Sequence, residues 1–227
     1  MYQTDAEAAN APNDINASGR TKYAGDAIFE DRNGDGMLDN RDMVFMGYIR
    51  PDKTGGIVNQ FQYKGLSLRV VTDWAVGHVI DNGFKSRTMG SARNNNNAFE
   101  ESLTNTWQHE GDDAIYPKYT VQSDYDYNFR NHNRWDYQIG NASGGGNNSL
   151  YYSKGDFLAF REVSLSYQFP KRVMDELNLS GLELYVGVYN IGYLTRYDGL
   201  MPELYTGHDY GTYPRPRQIN VGAKVSF

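Results

Sequence analysis

The chain has 227 residues, 14% of them aromatic and 24 of them Gly, with a net charge of −6 and a mean hydropathy of −0.70. Cys is absent, which excludes a disulfide framework and thiolate metal sites. The balance is acidic and no basic run occurs, which excludes a nucleic-acid surface.

The first residues, Met1-Tyr2-Gln3-Thr4, lack the basic and apolar regions of a secretory signal. Residues 1 to 26 are small, polar and turn-rich and read as loop. An acidic, Gly-containing run follows from Asp31 to Asp42. Residues 57 to 63 begin a hairpin, Lys64-Gly65 is its turn, and 66 to 77 is the return strand. In that strand Leu66, Leu68, Val70, Thr72, Trp74 and Val76 share one face. The period is two, not the helical 3.6.

Residues 78 to 155 are long and mostly polar, with a helical turn expected around Ala98 to Trp107. Strand 157–169 alternates next and ends at Pro170, which cannot donate to a ladder. Residues 171 to 177 are expected to make one helical turn, and strands 182–191 and 217–227 complete the set.

No apolar run reaches the roughly 18 residues of a transmembrane helix. The strands are instead long enough for a tilted membrane strand of about 10 residues. If the C-terminus is periplasmic, the short connections at Lys64-Gly65 and Pro170–Gly181 fall on one side, and segments 1–56 and 78–155 on the other. The expected fold class is therefore all-β: a portion of an antiparallel transmembrane β-barrel, about five strands, with long extracellular loops. The expected organisation is an extracellular loop region over 1–56 and barrel strands over 57–227. Five strands leave two open edges, so the chain reads as a fragment. One residue conflicts with this scheme. Arg161 falls on the apolar face of its strand, where a mid-bilayer Arg costs about 2 to 4 kcal/mol. Either it snorkels near the headgroups or a bulge shifts the register there.

Several segments carry a family likeness in order: Gly25-Asp26, then Phe29-Glu30-Asp31-Arg32-Asn33-Gly34-Asp35-Gly36; Tyr63-Lys64-Gly65-Leu66-Ser67-Leu68; Trp107 with Tyr116-Pro117-Lys118; Phe157 to Tyr167; Val188-Tyr189-Asn190-Ile191; and Tyr213-Pro214-Arg215-Pro216-Arg217 leading to Phe227. Together they resemble the C-terminal portion of SusC/RagA family TonB-dependent outer-membrane transporters. The resemblance implies a location in the cell outer membrane, among its lipid, and import of glycans or peptides with a SusD-like surface lipoprotein as partner. It implies TonB contact only through N-terminal regions missing here, so the chain alone should not transport. It also implies that Phe227 is the terminal aromatic presented to the barrel assembly machinery.

The acidic run offers a calcium loop. Asp31, Asn33 and Asp35 occupy its first, third and fifth positions and Gly36 its sharp turn. Met37 would offer its carbonyl, Asp39 would act through water, and Asp42 would close the loop in place of the usual, longer Glu. An Asx-rich turn without an ion fits the same residues. Loop aromatics Trp107, Tyr116, Tyr119, Tyr193, Tyr205 and Tyr210 are candidates for substrate or partner contact, against local packing of long loops. His78, His109, His132 and His208 lack metal spacing, and no catalytic constellation is found, so no enzyme is expected. The rival reading is a secreted, calcium-dependent carbohydrate-binding β-sandwich.

Overall fold

The structure is a computed structural model that describes residues 1–14, 22–89, 91–92, 97, 99–121, 149–204 and 206–227. The chain divides into two compact units. One comprises Met1–Gly47, Asp81–Ser153 and His208–Gly211; the other comprises Tyr48–Ile80, Lys154–Gly207 and Thr212–Phe227.

The second unit is built on five strands: β1 (Lys53–Tyr63), β2 (Leu66–Val76), β3 (Phe157–Gln168), β4 (Gly181–Thr195) and β5 (Gln218–Ser226). Each pairs antiparallel with its neighbour in chain order, so the sheet is an up-and-down meander. The β1–β2 turn has both central residues at positive φ, Lys64 at 45° and Gly65 at 85°. That twist matches a two-residue hairpin, and Gly adopts it without strain.

The pleat sorts the side chains into two faces. Phe61, Leu68, Leu165, Val186 and Val221 form one cross-strand row, and Tyr63, Leu66, Tyr167, Leu184 and Ala223 form the next on the same apolar face. Gln60, Arg69, Ser164, Gly187 and Asn220 form a row on the opposite, polar face. The apolar face is open along much of its width; Val221 is 79% exposed. Helix α4 (Lys171–Leu177) links β3 to β4 where one helical turn was expected, and Asn178 ends it in the left-handed conformation at φ 55°.

The first unit is mixed. It carries helices α1 (Asp5–Ala8), α2 (Gly83–Met89) and α3 (Glu101–Thr104), and a short parallel pairing of Asn13–Asp14 with Met37–Leu38. Helix α1 lies in a segment the composition marks as loop. Thr4 caps it by accepting from the Glu7 amide at 3.1 Å, and Glu7 accepts from the Gln3 amide, one residue before the cap, at 2.6 Å. Met89, Tyr116 and Tyr151 form a buried cluster in this unit.

The expected all-β barrel portion is therefore corrected. The fold is mixed, and the long strands make an open sheet whose first and last strands, β1 and β5, are both edges. Closure requires those edges to pair with each other, and the described residues contain no such pairing. The terms β-barrel and transmembrane β-strand fall with it. No described helix is long and apolar enough to cross a membrane. The rival sandwich is not formed either: among the described residues no second large sheet covers the first.

Candidate functional site

The densest polar constellation in the sheet unit surrounds Arg161. Phe160 pairs with Thr72 while Glu162 pairs with Val71, so Arg161 is an extra residue in β3. On the other side β4 inserts Asn190 and Ile191 between Tyr189 and Gly192, with Asn190 at φ 52°. This is the register shift at the one position where simple alternation conflicted with chemistry. The bulge turns Arg161 away from the apolar row.

On the polar face its guanidinium meets Asp73 of β2. Nε and Nη2 of Arg161 donate to the two Asp73 oxygens at 2.6 and 2.9 Å. Its outer edge meets Glu203, which lies in the irregular segment between β4 and β5. Nη1 donates to Glu203 Oε2 at 3.0 Å, and Nη2 donates to Oε1. The Tyr193 hydroxyl of β4 donates to Glu203 Oε2 at 2.9 Å, and the Arg215 Nε lies 3.7 Å from the same oxygen. Arg161 also stands over the Tyr193 ring at 5.7 Å. The side chains of Arg161 and Glu203 are only 17% and 16% exposed, so these charge-assisted bonds are shielded from bulk water. Further along the polar face Arg69 and Glu162 form a looser pair at 3.4 Å.

The same unit holds a buried His78. Burial pulls its pKa below the usual imidazole value, against opposing effects from Asp156 and the Pro202 carbonyl.

In the first unit the acidic run folds on itself. Asp31 accepts from the Gly34 and Gly36 amides, both at 2.8 Å. Gly34 and Gly36 have φ of 71° and 78°, which Gly supplies readily. Asn33 accepts from the Asp35 amide at 2.8 Å and Asp35 from the Met37 amide at 3.0 Å. Asp39 and Asp42 cap a short 3-10 turn over Asn40–Asp42. The Arg41 guanidinium bridges Asp35 and Asp39 at 2.6 and 2.7 Å. Oxygen donors are present for a hard cation, but these carboxylates face the loop's own amides and Arg41. Among the described residues no three His, Asp or Glu side chains are gathered around a common metal position.

Of the aromatic candidates, Tyr193 belongs to the sheet unit, and Trp107, Tyr116, Tyr119 and Tyr210 are dispersed within the first unit. Trp107 is buried and its Nε1 donates to Gln3 Oε1 at 3.3 Å, with its ring against Gly25. Tyr116 is buried and stacks on Tyr151 at 6.3 Å. Tyr119 is half-buried, which raises its pKa. Tyr210 is 51% exposed and stacks on His208 at 6.0 Å. Tyr205 and His132 lie outside the described residues. Phe227 ends the sheet unit with its side chain in the open, 94% exposed.

Two associations escape sequence reading. His208 Nδ1 lies 3.1 Å from Asp81 Oδ2, joining residues 127 apart, and burial raises the Asp81 pKa while the His208 bond opposes that rise. The Arg161–Glu203 pair spans 42 residues. Only the misplaced Arg on an otherwise apolar stripe signals it beforehand.

No family model matches the chain. TonB-dependent receptor P39 of Formosa agariphila is 27% identical over 212 residues, covering 89% of this chain and 19% of that protein. TonB-dependent receptor P3 of the same organism is 24% identical over 215 residues, covering 89% and 19%. TonB-dependent receptor SusC of Bacteroides thetaiotaomicron is 24% identical over 204 residues, covering 88% and 17%. The chain spans about a fifth of the length of these curated relatives. Among solved structures, the RagAB peptide transporter superposes with a TM-score of 0.61 at 21% identity, covering 81% of this chain and 18% of that one. The RagAB peptide importer in its closed-closed state gives 0.56 at 20% identity, covering 81% and 18%. By name these relatives are receptors, and the solved structures are a peptide transporter and a peptide importer. Over most of its length, the chain is similar in sequence to TonB-dependent receptors, SusC among them, and similar in fold to a chain of the RagAB peptide transporter.

Proposed function

We propose that this chain is a piece of a TonB-dependent uptake system of the outer membrane, importing peptides or glycans together with a SusD-like surface lipoprotein. The observation that carries the reading is the continuous similarity over 212 residues to a TonB-dependent receptor, supported by likeness to a peptide transporter. TonB itself would be met by regions that this chain does not contain. By itself the chain does not transport; it contributes a sheet with one polar and one apolar face. The test is fractionation of native cells carrying an epitope tag on the gene. The tagged product should sediment with outer membranes, co-purify with a surface lipoprotein, and be required for growth on a peptide or glycan source. Recovery in the soluble fraction, with uptake unaffected by deletion, rules the proposal out.

We propose further that calcium binds the run from Asp31 to Asp42 through Asp31, Asn33, Asp35, the Met37 carbonyl, Asp39 and Asp42. Calcium would supply there a fixed double charge that draws the carboxylates together. The support is the spacing of oxygen-bearing side chains along the run, with Gly36 at the turn; the Arg41 guanidinium, which bridges Asp35 and Asp39, would have to give way to the ion. Calorimetry at millimolar calcium should give heat that Asp35→Asn removes; an athermal titration with no chelator-sensitive change in the loop defeats it.

A further inference from the structure

The Glu203 carboxylate receives more donors than a simple clasp needs. Two Arg161 nitrogens, the Tyr193 hydroxyl and the nearby Arg215 converge on its two oxygens. The receptor side is rigid, because Arg161 and Tyr193 sit on paired strands and Asp73 holds the far edge of the guanidinium. The anion, by contrast, is borne by a segment outside any helix or strand. The segment still folds down firmly: Tyr197, Met201 and Pro202 beside it are buried. Planar, two-pronged recognition by Arg plus a phenol donor is chemistry that selects a carboxylate. Nothing in that chemistry distinguishes a carboxylate of this chain from one on a ligand.

We propose that Arg161 and Tyr193 form a carboxylate-binding site which the chain itself fills with Glu203, so that residues 196–204 act as a strap that a ligand carboxylate displaces. The ligand class is a carboxylate, carried either by an acidic peptide or by an acidic sugar. The inference does not depend on transport, since binding is measured on the chain alone. An attached partner acts at an effective concentration on the order of millimolar. A free carboxylate therefore competes poorly with Glu203 until that side chain is neutralised.

The experiment titrates N-acetylglutamate and, separately, glucuronate into the full chain by calorimetry. Glu203→Gln should bind at least one probe about tenfold more tightly than the unaltered chain, and adding Arg161→Gln to that variant should abolish the gain. Tighter binding of N-acetylglutamate assigns the site to acidic peptides, and tighter binding of glucuronate to acidic sugars. A Glu203→Gln chain that folds yet binds neither probe more tightly overturns the proposal. Should that variant fail to fold, hydrogen exchange of the unaltered chain decides. A saturating probe should raise exchange within 196–204 and leave β3 and β4 unchanged; unchanged exchange in 196–204 overturns the proposal equally.

Discussion

The backbone amide of Gln168 donates to the carbonyl oxygen of Gly65 at 2.8 Å, joining the tip of the first hairpin to the end of β3. The Gln168 carbonyl oxygen in turn occupies the space a Cβ on Gly65 would need. Gly65 thus answers to two demands at once, a φ of 85° and a close backbone approach. Gly65→Ala should cost about 1 to 3 kcal/mol, the cost of a residue held in a sparsely populated backbone region. Lys64, also at positive φ, should accept Asn or Gly with a gain of up to about 1 kcal/mol. Urea unfolding of the three variants reads both values.

The two Arg–carboxylate pairs on the polar face should differ in weight. Arg161→Gln leaves Glu203 facing a shielded site with one cation fewer, and should cost about 1 to 3 kcal/mol. Arg69→Gln removes a longer, more exposed pair and should cost less than about 1 kcal/mol. Thermal or urea unfolding of both variants makes the comparison. Equal losses would mean that the shielding around Glu203 has no energetic consequence.

His78 should make stability depend on pH. Its folded pKa lies below the unfolded value of about 6.5 because burial disfavours the charged ring. Between the two values the unfolded chain binds more protons, so stability rises with pH through that window. The contribution is present above about 6.5 and is lost as pH falls toward the folded pKa. His78→Gln should flatten this part of the profile, as measured by urea midpoints in a pH series.

The open apolar face should bind hydrophobic probes. Contiguous exposed apolar rows are uncommon on monomeric proteins and drive association. The chain should enhance anilinonaphthalene sulfonate fluorescence and need detergent to stay dispersed. Ile219→Thr with Val221→Thr should lower the dye signal while circular dichroism stays unchanged, because both side chains project from the edge strand β5 into the open.

Much of the sheet was legible beforehand. Leu66, Leu68 and Val70 alternate with Ser67, Arg69 and Val71, and the structure keeps them on opposite faces. Beyond Arg161 strict alternation puts Ala159 and Phe157 on the face of Val163, and the structure does not. The bulge moved them to the face of Asp73. Strand β4 likewise ran on to Thr195, past the expected end at Ile191, since β3 offers partners as far as Phe157. Trp107 and Tyr116 were visible as aromatics in a polar stretch, but whether an aromatic faces solvent or packs inward is set by neighbours such as Gln3 and Tyr151 that lie far along the chain.

Local chemistry alone therefore determined that the long strands exist, which side chains share a face in β2, and where the hairpin turns. Those properties follow from the two-residue pleat and from φ preferences, which involve only near neighbours. Tertiary structure decided the extra residue at Arg161, the open edges of the sheet, and the meeting of Arg161 with Glu203 and of Asp81 with His208. A bulge exists only against a partner strand, and a charge pair only between segments that pairing has already brought together, so neither is written in any single stretch of residues.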